Sequence, residues 1–281
     1  VPLSFFGGIG GASRVGVLVK GGNYLEALAK TGVVVMDKTG TLTKGSFSVT
    51  RIRPVNCSEQ ELLEWAALAE QFSSHPISLS IRAACRPAPD QSRVTDGAEI
   101  AGHGVKAVVD GRTVLAGNEK WMEANHIRAA QGEKPVGTVV HVAVDGAYAG
   151  YLVVADQIKE SAAPALKALK EAGVRRTVML TGDDPAVAQA VGQQLGLDQV
   201  HAGLLPGDKV DWVERLLQEK HPGEQLVFVG DGINDAPVLS RADIGVAMGA
   251  MGSDAAIEAA DVVLMDDDLS KLPVAVRIAR K

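Results

Sequence analysis

Two cysteines in 281 residues, Cys57 and Cys85, stand far apart and outside any Cys-x-x-Cys pair. That excludes a disulfide framework and a thiolate zinc site, and it fits a reducing compartment. Aromatic residues make up only 4% of the chain, and no apolar run approaches the ~20 residues that a membrane-spanning helix needs. Positive charge is also short: 28 Lys and Arg face 34 Asp and Glu, a net charge of −6. An acidic chain without a basic stripe gives no support for nucleic-acid binding. What is plentiful is aliphatic material, with 46% of residues hydrophobic, enough for the core of one large domain or two modest ones. The chain opens on Val1-Pro2-Leu3-Ser4-Phe5-Phe6 rather than Met and carries Arg14, Lys20, Arg280 and Lys281 near its ends. These features lead us to expect a piece of a longer protein, cut from between membrane segments on their cytoplasmic side.

Three short β-branched runs organise the chain. Val33–Met36 leads into Asp37, Thr177–Leu180 into Thr181-Gly182-Asp183, and Leu226–Val229 into Gly230-Asp231-Gly232. Each is bounded by turn residues and does not alternate, as expected of strands buried on both faces. Ile244–Ala247 and Val262–Leu264 are two further candidates. Helical patterns over 158–172, 185–195 and 208–219 lie between the strands, which implies βαβ units and a parallel sheet. Ligands of such sheets gather beyond the carboxyl ends of the strands, where the polar clusters at 37, 181 and 231 fall.

Residues 48–150 read differently. Ser58 with Glu61 forms a capping box, and Asp110-Gly111 and Asp145-Gly146 are hairpin turns between short strands. Hairpins imply an antiparallel sheet, hence an inserted α+β domain. The expected division is a stub and linker helix over 1–30, a first domain from 31–47 with 151–281, and the insertion over 48–150. Cys85–Arg93 reads as an exposed loop.

Asp37-Lys38-Thr39-Gly40-Thr41-Leu42-Thr43 concentrates the chemistry. A carboxylate at a strand end, followed by a glycine-containing loop, can attack phosphorus while loop N–H groups hold the phosphoryl oxygens. At all seven positions this segment resembles the phosphorylation signature of P-type ATPases, within the haloacid-dehalogenase-like, Rossmann-type α/β fold. The resemblance extends in order through Asp156 with Lys159 (the re-entry hinge), Thr181-Gly182-Asp183, Lys209, and Gly230-Asp231-Gly232-Ile233-Asn234-Asp235. It implies Asp37 as nucleophile, with Thr181, Gly182, Asp183, Lys209, Asn234 and Asp235 in the catalytic site. It also implies Mg²⁺ on Asp37, Asp231 and the carbonyl of Thr39. Phosphatases of the fold carry a second Asp two residues after the nucleophile. Thr39 stands there instead and cannot act as a general acid or base near neutral pH. The family's Thr-Gly-Glu actuator loop is absent from the sequence, so the actuator domain and the transmembrane helices are expected as partners elsewhere in the same polypeptide.

Within the insertion, Glu70, His75, Gly102, Gly104 and Asn118 resemble the ATP site of the heavy-metal-transporting branch, in which no aromatic stacks the adenine; the paucity of aromatics suits that branch. His103, between Gly102 and Gly104, is expected to be incidental though near the site, and His126, His141, His201 and His221 show no partners in the sequence and read as surface or structural. The opening octapeptide, Ala202–Pro206 and Leu269–Pro273 look like zinc/cadmium/lead exporters, with a copper pump of the same branch and a free-standing phosphatase as alternatives. The piece by itself is expected to be monomeric.

Overall fold

A computed structural model describes residues 3–129, 136–232, 235–249 and 254–281, with the side chains of residues 3 and 4 left aside. The chain runs through α1 (Leu3–Arg14), β1 (Val17–Val19), α2 (Gly22–Ala29), β2 (Thr31–Asp37) and β3 (Thr43–Pro54). It continues with α3 (Glu59–Ala69), α4 (Pro76–Ala84), β4 (Val94–Ile100), β5 (Gly104–Val109), β6 (Arg112–Gly117), α5 (Glu119–Ala124), β7 (Thr138–Val144) and β8 (Ala147–Ile158). The last stretch holds α6 (Ala162–Glu171), β9 (Arg176–Leu180), α7 (Pro185–Leu195), β10 (Gln199–His201), α8 (Pro206–Glu219), β11 (Gln225–Gly230), α9 (Ala236–Arg241), β12 (Ile244–Met248), α10 (Asp254–Ala259), β13 (Val262–Leu264) and α11 (Lys271–Ala279). No described helix is long and apolar enough to cross a membrane.

The chain divides into two compact units, residues 1–45 with 158–281, and residues 46–157. The first is built on a seven-stranded sheet in the order β1-β13-β12-β11-β2-β9-β10. All its pairs are parallel except β1 with β13. Every residue of β2 is buried. Val34 and Met36 pack into one apolar cluster with Val227, Val229 and Met179, while Val33 and Val35 join another with Val178, Leu226 and Phe228. Alternate residues thus feed opposite layers, which is why the strand sequence shows no alternation of polarity. From β10 at the sheet edge the chain returns to β11 on the far side of β2. The carboxyl ends of β2, β9 and β11 therefore meet at a topological switch point.

The second unit has a sheet in the order β3-β8-β7-β6-β5-β4, with antiparallel pairs from β4 to β8. Burial alternates along β5, where Val105, Ala107 and Val109 are buried and Lys106 is exposed, whereas β6 is covered on both faces. Val114 and Ala116 face α3 and α4, whereas Leu115 packs with Met122 of α5 on the other face. The Ser58–Glu61 capping box forms, and Asp110 and Asp145 take left-handed φ of 49° and 51° at the two hairpins, as such turns require.

Two expected boundaries are corrected. The seam falls after 45 and after 157, because β8 runs on past residue 150 and Tyr151–Val154 still pair with β7. Residues 3–29 are not a stub: Ala12, Leu25 and Leu28 are buried in the first unit's core, and Val17–Val19 extends its sheet alongside β13.

Candidate functional site

Asp37 ends β2 and is buried, with 7% of the residue exposed. Lys209, on the first turns of α8, donates to Asp37 Oδ1 at 2.6 Å and to Asp235 Oδ1 at 3.0 Å. Asp235 precedes α9 and is itself buried. Asp231 follows β11, and carboxylate oxygens of Asp37, Asp231 and Asp235 lie within 4.8 Å of one another. Lys209 bonds two of these three acids, and the cluster keeps an excess of negative charge. Burial first, then the charge of Asp235, pushes the Asp37 carboxyl up to about 7, against the pull of Lys209. Burial and Asp235 likewise push Asp231 up to about 6. Burial opposes charge on Lys209, but Asp37 and Asp235 outweigh it and raise its pKa. A hard divalent cation such as Mg²⁺, taking carboxylate and carbonyl oxygens, fits this donor set.

The loop after Asp37 is shaped by Gly40. Its φ is +72°, and a Cβ there would fall 1.6 Å from Asp231 Oδ2, so only glycine lets that carboxylate lie against the loop. Thr39 is exposed, whereas Thr41 is fully buried and its hydroxyl has no hydrogen-bond partner among the described residues.

Thr181 follows β9 and is buried; its hydroxyl accepts from the Asp183 N–H at 3.2 Å. The loop is laced to the next strand by Thr181 N–H to the His201 carbonyl at 3.0 Å and by Gly203 N–H to the Asp183 carbonyl at 2.9 Å. Gly182 sits tight against the Leu204 carbonyl. The Asp183 carboxylate pairs with Lys38 at 2.6 Å, joining the first and second loops. The helix cap is Asp184, which accepts from Ala186 N–H, so Asp183 is left for the site. Asn234 lies outside the described residues.

In the second unit, Glu70 is 5% exposed and accepts from the Ser78 hydroxyl at 2.6 Å. Burial, together with the charge of Glu99, raises its pKa against Ser78 and Arg82. His75 is the N-cap of α4: Nδ1 accepts from Ile77 N–H at 3.2 Å, which fixes an otherwise exposed ring with Nε2 facing away from the cap. Asn118 caps α5 through Trp121 N–H at 2.9 Å and donates to the Gly102 carbonyl at 2.8 Å. Gly104 is fixed by packing, since a Cβ would meet the Ala116 carbonyl at 2.2 Å, whereas the space over Gly102 is open. β4 links the two groups. Glu99 lies near Glu70, and Ile100 pairs with Gly104.

A model of haloacid dehalogenase-like hydrolases matches residues 31–243. The chain belongs to this hydrolase family. It is 55% identical to a cadmium, zinc and cobalt-transporting ATPase of Bacillus subtilis and 54% identical to a zinc-transporting ATPase of Synechocystis, all of the chain aligning in both cases. It spans about 40% of the length of these relatives. Among solved structures, a zinc-transporting PIB-type ATPase in an E2.Pi state matches with a TM-score of 0.86 at 36% identity, over 99% of this chain and 45% of the other. The catalytic domain of a CPx-ATPase matches with a TM-score of 0.69 at 27% identity, over 94% of this chain and 97% of the other.

Within this hydrolase the structure brings together Asp37, Asp231, Asp235 and Lys209, and sets Thr181–Asp183 beside them through Lys38. Sequence reasoning overlooked two contributors, Lys38 and Phe72. Lys38 meets Asp183 from 145 positions away, and no local pattern signals that. Phe72 is 40% exposed and lies against Gly97, two residues from Glu70, so the scarcity of aromatics does not leave the surroundings of Glu70 without a ring. His141, His201 and His221 do have partners, respectively the Tyr148 hydroxyl, the stacked Trp212 ring and Glu224.

Proposed function

We propose that this chain is the phosphorylation and nucleotide-binding portion of a P-type ATPase of the heavy-metal branch, and that ATP phosphorylates Asp37. The observation that carries the reading is a buried, strand-terminal carboxylate held 2.6 Å from a lysine, with two further carboxylates beside it. In the reaction an Asp37 oxygen bonds to the γ-phosphorus as the bond to the β,γ-bridging oxygen breaks, and ADP leaves. Lys209 places positive charge where the transferring group becomes most negative. Mg²⁺ held by Asp37, Asp231 and the Thr39 carbonyl would neutralise the repulsion between carboxylate and triphosphate. The Thr181 hydroxyl, buried at the end of β9, is proposed to hold a phosphoryl oxygen, with Gly182 keeping its loop close-packed; Asp235 orients Lys209, and Asn234 is assigned to the site by the resemblance alone. The second unit holds the nucleotide through Glu70, His75, Gly102, Gly104 and Asn118, so transfer requires that its bound ATP reach Asp37.

The transported ion is proposed as Zn²⁺ or Cd²⁺, on the strength of relatives described as cadmium, zinc and cobalt or zinc transporters, with Pb²⁺ resting on the sequence resemblance alone. The chain then works at the cytoplasmic face of a membrane, alongside the transmembrane helices and actuator domain of the same polypeptide. The test is labelling of the full-length protein with γ-phosphate-labelled ATP. An acid-stable, hydroxylamine-sensitive phosphoprotein, stimulated by Zn²⁺ or Cd²⁺ and lost in Asp37→Asn, is expected. Label that survives Asp37→Asn refutes the nucleophile, and stimulation by Cu⁺ alone refutes the ion.

A further inference from the structure

Lys159 lies just beyond the seam, two residues after the second unit ends at 157. It returns the chain to the first unit and bonds the nucleophile's loop twice. Its backbone N–H donates to the Leu42 carbonyl at 2.9 Å. Its ammonium donates to the Gly40 carbonyl and, at 3.3 Å, to the Asp267 carbonyl. Both of those carbonyls belong to residues in the left-handed region, Gly40 at φ +72° and Asp267 at +57°. For a residue other than glycine, that conformation is disfavoured and persists only where the surroundings impose it. One half-buried cation therefore collects two carbonyls turned by unusual backbone, each on a different loop of the site. Its charge also reaches Asp231, whose carboxylate rests on Gly40.

The geometry has a mechanical sense. The chain crosses the seam at 45/46 and 157/158, on β3 and β8, which are neighbours in one sheet. Leu42 stands just before the first crossing and Lys159 just after the second, and they are bonded to each other. The feet of the two crossing strands are thereby tied together, and the Lys159 side chain carries the tie inward to Gly40, three residues from Asp37.

Resting on the phosphorylation reading above, we propose that Lys159 is a positioning residue: it fixes the 38–42 loop, and so the Asp37 nucleophile and the Thr39 carbonyl, to the strand that re-enters from the nucleotide-holding unit. It touches no reacting atom. Its removal should slow the transfer step and leave nucleotide binding alone.

The experiment compares Lys159→Met and Lys159→Arg with wild type in the full-length protein, following phosphoprotein formation at saturating ATP and ATP affinity separately. Hydrogen exchange of the 281-residue chain is read alongside. Losing charge-assisted bonds to two carbonyls should slow phosphorylation by roughly 10- to 100-fold in Lys159→Met. ATP affinity should stay unchanged, and amides 39–43 should exchange faster while those of β5–β7 do not. Lys159→Arg, which keeps charge and donors, should recover most of the rate. Lys159→Met phosphorylating at the wild-type rate overturns the proposal. So does a joint fall of rate and ATP affinity that Lys159→Arg does not rescue, since that marks a merely structural lysine. A wild-type protein that takes no label on Asp37 removes the functional reading, and this inference with it.

Discussion

Replacing Asp37 by Asn should stabilise the ion-free chain, and should do so more as pH rises. The Asp37 carboxyl is held at about 7 rather than the ordinary 3.8, by burial and by Asp235. A raised carboxyl pKa means that ionisation is disfavoured in the folded state. The cost is absent below the unfolded pKa, grows between it and the folded pKa, and is constant above. The interval corresponds to about 4 kcal/mol at pH 8 and to less than half of that at pH 5. Asn keeps the shape and cannot ionise. At about 2–4 °C per kcal/mol for a domain of this size, Asp37→Asn should melt roughly 5–15 °C above wild type at pH 8, the gap narrowing steadily towards pH 4. Thermal melts of the 281-residue chain in a chelator, from pH 4.5 to 8.5, measure it. Millimolar Mg²⁺ should shrink the gap, since wild type gains a bound cation that the variant has lost a ligand for. An Asn variant that melts below wild type at pH 8, or a gap independent of pH, would refute the reasoning that charge crowding dominates this site.

Three further outcomes follow from the same geometry. Lys209→Met strips the counter-charge from Asp37 and Asp235; it should cost roughly 3–5 kcal/mol at pH 8 and less at pH 5 in melts, and cut phosphoprotein labelling at least ~100-fold. Gly40→Ala puts a methyl group onto Asp231, so melts with and without Mg²⁺ should show that stabilisation by the ion is lost. His75→Asn keeps a good helix cap while removing the imidazole; calorimetry should find ATP bound about tenfold more weakly, and unchanged affinity would leave His75 a capping residue only.

Local features were legible in the sequence to the extent that their causes are local. The apolar run Val33–Met36, the Ser58–Glu61 box and the two Asp-Gly turns each state their own conformation, and the structure has them. So do α7, from Pro185 to Leu195, and the meeting of the three polar strand ends. Features whose cause is distant in sequence were not legible. Val17–Val19 is a three-residue edge strand that exists because β13 lies beside it. The run Leu152–Val154 is apolar in either unit, and only pairing with β7 assigns it. The Lys38–Asp183 pair and the raised Asp37 carboxyl depend on groups more than 140 positions away, which no pattern of spacing encodes.

The same crowding bears on how long an aspartyl phosphate lasts. Hydrolysis needs a base beside the phosphorus to deprotonate water. Of the described carboxylates near Asp37, Asp235 is bonded to Lys209 and Asp231 rests on Gly40 within the acid cluster that suits a cation. Asp183 is paired with Lys38. At the position where phosphatases of the fold carry their acid–base residue stands Thr39, exposed and unable to take a proton near neutral pH. Each of these described acids thus has a cationic partner or a place in the acid cluster, and under the proposed reading the group that activates water comes from outside this chain. The expected result is that the 281-residue chain binds ATP and Mg²⁺ yet releases phosphate far more slowly than the full-length protein with its metal ion. Steady, rapid turnover by the chain alone would mean that one of these committed carboxylates is free to act as the base, and the division of labour proposed here would fail at that residue.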